Sequence, residues 1–155
     1  MDKERVVLNT MLFHQQILQD KLQSQIISDL VNNLDINRIE LHREYIEDYF
    51  GELINVQKIV DLKGTEIFYS VPDNLFVDLK LNSKLVQYIY EAKLIHASKI
   101  KMTLGDWSDS AKKYVQYINK VLPDDIQLTI ENDRTIDNSD VNKLLSFFQE
   151  STKKI

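Results

Sequence analysis

Two short stretches concentrate side chains able to move protons or hold ions: Glu40-Leu41-His42-Arg43-Glu44, and Leu128-Thr129-Ile130-Glu131-Asn132-Asp133-Arg134-Thr135. The first puts two carboxylates, an imidazole and a guanidinium within five residues, and the second ends an apolar run in acids and amides. A carboxylate at the end of a strand, as expected for Glu131, suits oxygen ligation of Mg2+ or Mn2+, or removal of a proton beside a carbonyl. The competing account of Glu131 is a structural ion pair with Lys101 or Arg43. His42 could polarise a carbonyl or ligate a metal, or be simply hydrogen-bonded. Arg43 and Lys101 are natural partners of a phosphate or carboxylate, or else balance interior charge. The candidate substrate contacts are Glu40, His42, Arg43, Lys101, Asn132 and Asp133, with Glu131 as the catalytic and metal-ligating candidate.

Other chemistries are excluded by what the chain lacks. It has no cysteine, hence no thiolate catalysis or disulfides, and its composition fits a reducing compartment. With three glycines in all, it contains neither GxGxxG nor GxxxxGK[ST], and no GxSxG elbow. The net charge is -5, and the 19 basic residues are scattered among 24 acids rather than forming a stripe, which argues against a sequence-independent nucleic-acid binder. No apolar run is long enough for a signal peptide or a membrane span, so the expectation is a cytoplasmic protein.

The elements that must position these residues repeat in kind. Five β-type runs, RVVLNT (5–10), NRIELHRE (37–44), TEIFYS (65–70), SKIKMTL (98–104) and IQLTIEN (126–132), begin about 30 residues apart, the length of a βα unit. Between them lie helical stripes: Leu18, Leu22, Ile26, Leu30 and Leu34; Tyr49, Leu53, Val56 and Val60 before a stop at Gly64; and Leu85, Ile89 and Ala92 after a cap at Asn82. Ser108 or Asp109 is expected to cap a helix carrying Tyr114, Ile118 and Val121 and ending at Pro123. Ser139 is expected to cap a last one that buries Val141, Leu144, Leu145 and Phe148. Nothing marks a domain boundary, so residues 1–155 read as one domain.

Alternation within the runs separates the possible architectures. Ile126, Leu128 and Ile130 oppose Gln127, Thr129 and Glu131; Ile100, Met102 and Leu104 oppose Lys99, Lys101 and Thr103; Ile39 and Leu41 oppose Glu40 and His42. A doubly wound, flavodoxin-like sheet covered on both faces would show continuous apolar strands, whereas one polar face matches a barrel interior. The expected fold is therefore α/β, a partial (β/α)8 TIM-type barrel with five parallel βα units. A closed barrel takes about 250 residues, so three units are missing, and an incomplete barrel is expected to self-associate as a homo-oligomer that covers its open edges.

The motifs ELHREY (40–45), EIFYSVPDNLF (66–76), KIKMTLGDW (99–107) and LTIENDRT (128–135), in that order along nearly the whole chain, resemble the sugar phosphate isomerase/epimerase family with a xylose isomerase-like barrel. The resemblance implies metal-assisted proton transfer beside the carbonyl of a sugar or sugar phosphate, with Mg2+, Mn2+ or Zn2+ as cofactor and Glu131 at the position of the family's fifth-strand metal ligand. It also implies an incomplete site, because the family's other ligands come from strands six to eight. The rival from another class is a non-catalytic α/β interaction module, a half-barrel that pairs with a second polypeptide.

Overall fold

The computed structural model describes residues 6–132, 140–151 and 155. Strands β1 (Leu8–Asn9), β2 (Arg38–His42), β3 (Glu66–Val77), β5 (Lys99–Gly105) and β6 (Gln127–Glu131) form a parallel sheet in that order, and β4 (Lys80–Leu81) folds back antiparallel on the end of β3. Each parallel strand lies beside the next in sequence, so the described strands contain no order reversal, the feature that defines a doubly wound sheet. Helices α1 (His14–Ile17), α2 (Gln23–Leu34), α3 (Tyr49–Lys63), α4 (Leu85–Leu94), α5 (Lys113–Val121) and α6 (Val141–Glu150) complete the chain.

The alternation expected for the strands holds. Ile39, Leu41, Ile67, Tyr69, Ile100, Met102 and Leu128 are buried in the core with Ile27, Val56, Ile89 and Ile118 from the helices. The opposite face carries Glu40, His42, Ser70, Lys101, Thr103, Thr129 and Glu131, brought into rows by the register His42, Ser70, Lys101, Thr129 and, above it, Asn74, Thr103, Glu131.

Strand and helix bounds differ from expectation where distant partners decide. Only Leu8–Asn9 of the first run pairs with β2, because the chain then enters a 3-10 turn whose first free N–H, that of Met11, is bonded by the Asn9 side chain. The third run continues to Val77 through Pro72, which lies in a bulge where β3 places extra residues between the pairs Ser70/Lys101 and Asn74/Thr103. Pro72 thus sits inside the strand. Gly105 closes this bulge: its φ is 72°, and a Cβ there would collide with the Phe76 carbonyl oxygen.

In the first helical segment Ile26 and Leu30 are buried, but Leu18, Leu22 and Leu34 are exposed, and α2 starts only at Gln23. Gly64 ends α3 in a left-handed conformation, as expected. Asn82 accepts from the Lys84 N–H just before α4 rather than from the helix itself. Ser139 lies outside the described residues; Asp140 caps α6 by accepting from the Asn142 N–H at 2.8 Å. The buried residue of α6 is Phe147, set edge-on against Trp107 and Phe76, while Val141, Leu145 and Phe148 are exposed. Of the expected stripe only Leu144 packs against the core, and the helix turns on Phe147 instead, because its partners, Phe76 and Trp107, come from β3 and the loop after β5.

Candidate functional site

Strand alternation puts Glu40 and His42 on the polar face of β2, two residues apart, and Lys101 on β5 reaches them across Ser70 of β3. The Lys101 ammonium is paired to Glu40 Oε1 and lies 3.4 Å from Glu131 Oε2 on β6. Glu40 Oε1 also accepts from Asn9 Nδ2 at 3.3 Å. His42 bonds Glu44 through Nδ1 at 3.1 Å; its Nε2 stands 3.2 Å from Glu40 Oε1 without the alignment of a hydrogen bond and has no other partner. One ammonium and one imidazole are thus interleaved with three carboxylates.

Burial alone would raise the Glu40 carboxyl, but His42 and Lys101 outweigh it and hold it at about 2. Burial would likewise lower His42, yet Glu40 and Glu44 push it up to about 9, so it is an imidazolium at neutral pH. For Lys101 too, burial opposes the charge and Glu40 and Glu131 prevail, raising it. Glu40, His42 and Lys101 are therefore all charged at neutral pH.

Support for this geometry comes from a residue that the sequence pattern does not single out. Gln23, fully buried at the start of α2, accepts the His42 N–H at 3.1 Å and donates to the His42 carbonyl at 2.7 Å. Its amide thereby continues the ladder beside β2 where β1 has already ended, and Thr10 bonds its Oε1 at 2.6 Å. A glutamine at an amphipathic helix start carries no signal for this. Only the fold brings it to the strand.

Of the expected site residues, Glu40, His42, Lys101 and Glu131 converge. Arg43 does not join them: its guanidinium forks onto Glu91 of α4 at 2.8 and 3.0 Å, between the rings of Tyr49 and Tyr88. Glu91 is completed by Tyr69 at 2.7 Å and Gln87 at 2.8 Å. Asn132 follows β6 and is exposed. Asp133, with the rest of 133–139, lies outside the described residues.

The chain matches no protein-family model and no curated protein.

Whether these residues fit the divalent ion expected above can be judged from the donors. Glu131 is half exposed, and Glu40, which shares the Lys101 ammonium with it, is already paired to that cation. The nearby imidazole is held protonated by Glu40 and Glu44, so a metal would have to displace its proton to bind there. Among the described residues no three His, Asp or Glu side chains are placed to share an ion. As they stand, these donors do not fit Mg2+, Mn2+ or Zn2+.

Proposed function

We propose that the chain is a sugar isomerase/epimerase-like protein of the cytoplasm, five βα units of a (β/α)8-type barrel wall, whose polar face takes a sugar or sugar phosphate and moves a proton beside its carbonyl. The observation that carries this reading is the meeting of Glu40, Lys101 and Glu131 from three parallel strands on the face opposite the helices. Sequential parallel strands with an apolar face under helices and a polar face opposite suit a barrel wall. Three carboxylates against two cations leave the cluster with an excess of negative charge, so it is the uncharged hydroxylated end of a sugar that meets it, with any phosphate held away.

In this reading Glu131, the most accessible carboxylate of the set, takes the proton from the carbon next to the carbonyl. The electron pair moves onto the carbonyl oxygen, where Lys101, with three N–H donors, supplies a hydrogen bond to the enolate. The proton of the neighbouring hydroxyl passes to the former carbonyl oxygen by way of Lys101, and Glu131 returns its proton to the adjacent carbon on the same face, which completes an aldose–ketose isomerisation. Glu40, flanked by His42, holds Lys101 in place. The test is exchange in D2O of the proton beside the carbonyl, on C2 of aldoses and on C1 or C3 of ketoses, for a panel of these sugars and their phosphates, followed by NMR. Exchange that falls at least 100-fold in Glu131→Gln while sugar binding persists is the expected result. No exchange with any member of the panel would overturn it.

A second reading, a non-catalytic half-barrel that pairs with another copy of itself, is favoured by one observation: β1 and β6 each have a neighbour on one side only among the described strands.

A further inference from the structure

Glu40 and Glu131 belong to strands separated by β3 and β5, yet both reach one ammonium group. Lys101 springs from β5, in register with Thr129 and next to the Thr103/Glu131 pair, so its side chain rises between the two carboxylates. Three further groups narrow the space around Glu40 Oε1: Asn9 Nδ2 at 3.3 Å, His42 Nε2 at 3.2 Å and, behind the imidazole, Glu44. We propose that Lys101 is the resident cation of this face, holding the place between Glu40 and Glu131 in which a divalent ion would otherwise bind, so that the cluster meets hydroxyl groups with an ammonium instead of a metal.

A divalent ion bound to these carboxylates would stand within contact range of an ammonium, and like charges in a partly buried site repel strongly. Hard cations also draw oxygens in to roughly 2.0–2.6 Å, whereas Glu131 stands at 3.4 Å from the ammonium, the looser spacing of an ion pair. Removal of the amine leaves a half-buried carboxylate, Glu40, without its cation and opposite a second carboxylate. That pair is then short of positive charge, which a divalent ion can supply.

Mn2+ and Mg2+ titrated by calorimetry into the wild-type chain, K101M and K101Q decide the matter. The wild type is expected to show no saturable site at millimolar metal. Both variants gain a single site at least tenfold tighter than anything in the wild type, and addition of E131Q to either abolishes it. Where a variant is too unstable to titrate, a rise of its thermal midpoint with Mn2+, absent in the wild type, counts as the same gain. A saturable wild-type site weakened tenfold by E131Q would overturn the proposal. So would a variant that shows neither tighter binding nor a metal-dependent midpoint. The titration reads the ion and D2O exchange reads the reaction, so either reading can fail while the other stands.

Discussion

At the scale of single residues, the cluster's chemistry is set by which protons it keeps. Glu40 is held at about 2, so its contribution to stability is complete above the ordinary carboxylate range and is lost as pH falls from there through about 2. His42 is held at about 9, so its contribution is complete below the ordinary imidazole value and lost as pH rises through 9. Stability owed to the cluster is therefore greatest between about pH 4.5 and 6.5 and declines through the alkaline limb. Urea unfolding midpoints measured from pH 6 to 9.5 are expected to fall by the equivalent of about 1–3 kcal/mol in the wild type and to stay level in His42→Gln. A level wild-type profile would remove His42 from the ion-pair network. Elsewhere, the buried Glu52 accepts the Ser24 N–H at 3.0 Å, and burial nevertheless raises its carboxyl, so its charged form is carried at a cost.

Among the elements, the join of β2, β3, α3 and α4 rests on Arg43 and Glu91. The fork between them ties the end of β2 to α4, Tyr69 brings in β3, and the Tyr49 ring brings in α3. Arg43→Ala leaves the buried Glu91 short of its cation and is expected to cost about 3–5 kcal/mol, read as a lowered urea midpoint. A cost near zero would mean the pair is solvent-screened and would return Arg43 to the list of substrate contacts. The sequence marks Arg43 as an anion partner, and so it is. What it does not mark is that the anion, Glu91, lies 48 residues away on a helix.

For the whole molecule, the consequence lies in the sheet edges. β1 and β6 are expected to drive association, so light scattering at about 50 µM should report a dimer or larger species. A stable monomer would end the half-barrel interaction reading. Much of the fold is legible in the sequence because strand and helix periods are local. Glu40 and His42, or Lys101 and Thr103, must share a face wherever a strand forms. The five runs, the stop at Gly64 and the apolar Ile39/Leu41 and Ile100/Met102 faces follow from that alone. The sequence by itself thus determines which residues share a polar face. Only the tertiary structure decides which of them meet, since register and strand order join residues 31 to 61 positions apart. It sends Arg43 to Glu91, sets Gln23 against His42, turns α6 on Phe147, and places Lys101 between Glu40 and Glu131, because packing and charge neutralisation act between distant segments.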